Sequence, residues 1–181
     1  MKICIYGAGA IGGLMAARLA KAEAAVHGLP LERVHFHELA SWDTLIDLTL
    51  AAALLEALGV TTASIGPLPL GGGTVASAHG ALPIPAPAVL RLLEGFRFKD
   101  DGIGGERVTP TGAAILAHLA PAPALPGMPR LIAAGSGFGT RRLPDRVEQI
   151  NVTKADSDAE SIMDIAVVSD VLAEEQLTRI V

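Results

Sequence analysis

Apolar positions change their rhythm several times along the chain. Lys2 to Tyr6 is a short β-prone run that leads into glycines. In "IGGLMAARLAKAEAAVHG", Ile11, Leu14, Met15, Leu19 and Ala22 recur at helical spacing, and Gly28 ends that helix. Arg33 to His37 alternates and predicts a strand. Ser41 is an N-cap candidate for a helix from Trp42 to Leu58, closed by Gly59. Thr61 to Ile65 is short and β-branched, and "GPLPLGGG" reads as a turn-rich loop.

Prolines punctuate the second half. They make "LPIPAP" (82–87) an extended lead-in to a helix from Ala86 to Leu93, because proline disrupts ladders and helix interiors alike. After the glycine loop "KDDGIGGE", Thr109-Pro110 opens a helix to about Leu119: threonine caps well, and proline suits the first helical position. "APAPALPGMP" reads as a linker or long surface loop. Leu131–Ala134, Val147–Val152 and Ile162–Val168 predict strands, "TKADSDAES" a polar loop, and Val171–Ile180 a short helix. Strands alternating with helices imply an α/β fold, a mixed sheet with flanking helices that opens with a Rossmann-like strand-turn-helix.

At 181 residues the chain has the length of one domain, or of one and a fragment. Half of it is hydrophobic and little is aromatic, so the core is built from small aliphatic side chains. The net charge of −5 comes without a basic run, which argues against broad nucleic-acid or membrane-surface binding. Apolar stretches are interrupted before they reach a membrane-spanning length of ~18 residues. The single cysteine, Cys4, forms no internal disulfide and fits a reducing, cytoplasmic setting. The residues leave homo-oligomer formation open.

Two segments carry chemistry. Gly7-x-Gly9-x-x-Gly12 has the strand-turn-helix context of a dinucleotide fingerprint, with a helix N-terminus to face a pyrophosphate. Downstream, the stretch "ERVHFHELASWDTLID" gathers five metal-capable side chains from His35 onward. On a strand, His35 and His37 point to one face, and paired imidazoles suit nickel, zinc or copper. Glu38 follows. Asp43 and Asp47 share a helix face and can ligate, or orient a ligand histidine. His27 and His79 are further candidates. A surface histidine pair and an aspartate in a helix's first turn are the ordinary alternatives.

Other loops suit an anion. Thr109, Thr111 and Gly112 at a helix start offer hydroxyls and N–H groups. Gly71-Gly72-Gly73 and Gly102 to Gly105 can form backbone nests, and Arg141 and Arg142 can pair with phosphate or carboxylate. The ordinary alternatives here are a capped helix, two tight turns and a solvated arginine pair.

Two resemblances sharpen these readings. "MKICIYGAGAIGG" resembles the start of ketopantoate reductases, over residues 1–22. That likeness implies an NADP-dependent oxidoreductase in which Glu38 would take the ribose role. Residues ~18–146 resemble the LarC family of nickel insertion proteins, in "RLAKAEAAVHGLPLERVHFHE", "GPLPLGGGTVASAHGALPIPAPAVLRLLEG", "DDGIGGERVTPTGAAILAHL" and "GFGTRRLP".

The second resemblance implies insertion of nickel into pyridinium-3,5-bisthiocarboxylic acid mononucleotide at the expense of CTP. One nickel–carbon and two nickel–sulfur bonds form, giving the nickel-pincer cofactor of lactate racemase and its relatives. In that reading His35, His37, Glu38 and Asp43 handle the metal. Gly71, Gly72, Gly73, Thr109, Thr111, Gly112 and Arg141 hold the nucleotide. The expected organisation is a β-α opening over 1–22, a LarC-like domain over 18–150, and a polar linker over 151–181 with the start of a truncated C-terminal domain. CTP use belongs to that C-terminal domain in the family. A non-catalytic truncated chain is the remaining alternative.

Overall fold

The computed structural model describes residues 9–33, 42–77, 80–124, 127–138, 149–157 and 160–168. Its class is α/β, with four helices, one 3-10 turn and eight strands among those residues. The chain divides into two compact units, Met1–Gly59 with Pro67–Pro121, and Val60–Gly66 with Ala122–Val181.

The first unit is built on helices α1 (Gly9–His27) and α2 (Trp42–Ala57). The predicted stripe on α1 largely turns inward: Met15, Leu19 and Ala22 are buried, whereas Leu14 is exposed. Gly28 follows the last residue of α1 with φ +62°, a conformation glycine adopts without a steric penalty. Leu31–Arg33 then forms a 3-10 turn where an alternating strand was expected to begin; the rest of that expected strand lies outside the described residues. Thr44, Leu48 and Ala52, four residues apart, form the buried face of α2. A second apolar row, Ile46, Leu50 and Leu54, is exposed.

Helix α3 (Pro87–Leu92) has proline at its start, and helix α4 (Pro110–Leu119) begins at the predicted Thr-Pro signal. Met15, Leu19, Leu48 and Ala114 make the core where α1, α2 and α4 meet, with Leu92 of α3 packed against it. Two small sheets complete the unit. The first is a parallel pair of two-residue strands, Leu68–Pro69 with Phe98–Lys99, the former inside the segment that read as a turn-rich loop. The second is a hairpin, Thr74–Ser77 with Gly80–Pro83, in which Thr74 lies opposite Pro83. The proline-rich lead-in therefore starts as the end of a hairpin strand.

The second unit is a four-stranded mixed sheet. Numbering strands along the whole chain, β1 is Thr62–Ile65, β2 to β5 are the four short strands above, and β6, β7 and β8 are Arg130–Phe138, Gln149–Ser157 and Glu160–Val168. The order is β1-β8-β7-β6; β1 runs parallel to β8, and the other neighbours are antiparallel. Ala122 pairs with the other edge of β1 through Ile65 N–H to Ala122 O (2.9 Å) and Ala122 N–H to Ala63 O (2.8 Å). "TKADSDAES", expected as a loop, supplies the last residues of β7 and the first of β8. Lys2–Tyr6, Ser41 and Val171–Ile180 lie outside the described residues. Among the described residues no helix is long and apolar enough to cross a membrane.

Candidate functional site

The site in the first unit grows out of its core stripes. Glu23 lies four residues beyond Leu19 on α1, and Thr44 lies four before Leu48 on α2. Each is a polar residue on a face that is otherwise apolar. Together with Glu106 and Thr111 they line a cleft of about 240 Å³. Its apolar wall comes from Val75 and Leu82 of the β3–β4 hairpin, Ala86 before α3 and Pro110 of α4. Glu23 also meets His27 at 3.5 Å, one turn further along α1.

Glu106 sits in a firmly mounted segment. Its neighbour Gly105 donates its N–H to Gly72 O (2.7 Å), and Gly72 returns a longer bond to Gly105 O (3.4 Å). The two glycine loops therefore clasp each other, and part of their backbone donor capacity is used in doing so. The clasp needs glycine at residue 71, where φ is +71° and a Cβ would overlap Gly105 O and come within 2.8 Å of Arg107 Cγ. On the other side of Glu106, Arg107 Nη2 pairs with Asp101 Oδ2 at 3.2 Å, with the two side chains only 2% and 6% exposed. Arg107 Nε and Nη1 are buried without a hydrogen-bond partner among the described residues. Asp100 and Asp101 brace the intervening turn by accepting from Gly102 N–H (2.8 Å) and Ile103 N–H (3.2 Å).

Two residues after Arg107, Thr109 caps α4: its Oγ1 accepts from Gly112 N–H at 3.2 Å. Thr111, in the same turn, faces the cleft. Of the sequence-predicted anion residues, the structure joins Gly72 to the 102–105 loop and puts Thr111 at the cleft. Arg141 and Arg142 lie outside the described residues. So do His35, His37, Glu38 and His79. Asp43 is described, exposed in the first turn of α2 and next in the chain to Thr44. Asp47 is exposed one turn on, and His27 pairs with Glu23. Among the described residues no three metal-capable side chains cluster. Of the dinucleotide glycines, Gly9 and Gly12 fall in α1, and Gly7 is outside the described residues.

Sequence reading did not single out Glu23, Thr44 or Glu106 as site residues. Glu106 stood within a matched block, yet nothing local marks a carboxylate that only the fold turns into a cleft.

A family model described as nickel insertion protein matches residues 13–179. The chain belongs to that family. The match extends beyond the blocks quoted above at both ends. Among relatives whose names carry the words "nickel insertion protein", that of Pelobacter propionicus is 50% identical over 128 residues, covering 71% of this chain and 33% of the relative. That of Geobacter metallireducens is 49% identical over 132 residues, covering 71% and 33%. That of Roseiflexus castenholzii is 48% identical over 144 residues, covering 78% and 36%. The chain thus spans about a third of the length of the curated relatives it matches. No solved structure gives a significant match.

Proposed function

We propose that this chain is a module of the machinery that inserts nickel into pyridinium-3,5-bisthiocarboxylic acid mononucleotide, forming the nickel-pincer cofactor used by lactate racemase-type enzymes. One observation carries the reading. The helix start Thr109-Pro110-Thr111-Gly112, within a family-matching block, opens onto a cleft that also receives Thr44, the residue after Asp43 within the histidine-acid stretch. In this reading His35 and His37 take up the nickel substrate through neutral imidazole, and Glu38 or Asp43 completes or orients the set. Gly71, Gly72, Gly73, Thr109, Thr111, Gly112 and Arg141 serve the nucleotide.

Metal insertion at a ring carbon exchanges a C–H bond for a C–Ni bond. The proton leaves to a base, and no change of nickel oxidation state is needed. In this reading CTP consumption belongs to a C-terminal domain, as the family resemblance implies. The single cysteine supports a reducing, cytoplasmic setting for the chain.

Titration with Ni²⁺ by calorimetry tests the metal assignment. The double variant His35→Ala/His37→Ala is expected to bind nickel at least tenfold more weakly than the parent chain. Equal affinity would remove these histidines from the proposal. An insertion assay with CTP and the pincer precursor tests whether the chain completes the reaction by itself.

A further inference from the structure

We propose that the cleft walled by Glu23, Thr44, Glu106 and Thr111 is a ribose subsite, in which the two carboxylates accept hydrogen bonds from the cis-diol of a ribonucleotide. The volume is the first reason. At about 240 Å³ the cleft has room for a pentose.

The polarity is the second. Two carboxylates repel a phosphate or a thiocarboxylate but accept strongly from neutral hydroxyls, the means by which an acidic residue reads a ribose 2′-OH in dinucleotide folds. A carboxylate has about four acceptor positions, more than one neighbouring donor fills. Thr44 and Thr111 add hydroxyls that both donate and accept, and Val75, Leu82 and Pro110 offer carbon surface to the sugar ring.

Rigidity is the third. Glu106 is fixed between the Gly72–Gly105 backbone clasp and the buried Arg107–Asp101 pair. A backbone so mounted brings its carboxylate to the cleft at a smaller ordering cost on binding.

The proposal rests on the nickel-pincer reading only for the choice of nucleotide. A pyridinium mononucleotide and CTP share the same diol. Calorimetry on the full chain therefore uses four probes: nicotinic acid mononucleotide, CTP, and the 2′-deoxy analogue of each. At least one ribonucleotide should bind, and its 2′-deoxy analogue should bind tenfold or more weakly. Glu106→Ala and Glu23→Ala, with circular dichroism showing that the fold is retained, should weaken the ribonucleotide tenfold or more and abolish the ribo/deoxy discrimination. Glu94→Gln, an exposed carboxylate outside the cleft, should change neither.

Discrimination confined to the mononucleotide pair identifies the pincer precursor as the source of the sugar; discrimination confined to the CTP pair identifies CTP. Equal binding of ribo and deoxy forms, wild-type affinity in both cleft variants, or no binding of any probe would overturn the subsite. These readouts need no metal. Failure here therefore leaves the histidine titration intact, and failure of that titration leaves this result intact.

Discussion

Arg107 and Asp101 face each other at 3.2 Å with almost no solvent contact, on either side of the loop that brings Glu106 to the cleft. A buried ion pair is weak evidence of net stability, because desolvation offsets most of the attraction. Removing one partner is costly, because a charge is left buried alone. Asp101→Ala should therefore destabilise the chain by about 3–5 kcal/mol. Replacing both partners by apolar residues, Arg107→Met with Asp101→Leu, should cost clearly less. Urea unfolding followed by circular dichroism measures both. A double variant as unstable as the single one would mean that the pair contributes more than mutual neutralisation.

Gly71 tests the other support of that loop. Alanine there meets an unfavourable positive φ and overlaps Gly105 O. Because the obstacle is backbone, the clasp must open to admit it. Gly71→Ala should cost roughly 1–3 kcal/mol, read as a lowered Tm. Gly72→Ala, where a Cβ would meet nothing within 4 Å, should cost less. Equal losses in the two variants would show that the close approach at Gly71 is not what holds the loops together.

The signals that proved legible in the sequence are local. Thr109-Pro110 marked the start of α4 because capping and the fixed φ of proline act within one turn, and Gly28 and Gly59 marked helix ends by the same kind of rule. The polar stretch "TKADSDAES" misled, because a strand paired along its length takes its stability from the ladder and from its neighbours. Two-residue strands such as Leu68–Pro69 are too short to show any alternation.

The site divides in the same way. Thr111 belongs to a capping motif and was visible. Glu23, Thr44 and Glu106 come from separate segments and converge only through the packing of α1, α2 and the clasped loops.

The Thr109 cap has a measurable value of its own. Its hydroxyl satisfies the Gly112 N–H, which has no intrahelical acceptor. Thr109→Ala should lower stability by about 1 kcal/mol, and Thr109→Ser should restore most of it. If the cap also orders the first turn beside the cleft, Thr109→Ala will weaken ribonucleotide binding more than its loss of stability explains. Unfolding curves and calorimetry on the same variants separate the two effects.

His118, on α4, should make stability depend on pH in a defined direction. Burial, and secondarily the positive charge of Arg18 on α1, hold its imidazole below the ordinary value of 6.5. Between the folded value and 6.5 the unfolded chain binds more protons at this position, so protonation favours unfolding. The His118 contribution is fully present above 6.5. It declines as pH falls towards the folded value, and is constant below it. Replacing Arg18 by glutamine should raise the His118 pKa but leave it below 6.5, because burial is the larger cause. Imidazole proton resonances followed by NMR across pH 4.5–8 report that value directly. His118→Gln should flatten the stability profile over the same window, and an unchanged profile would mean that other groups set it.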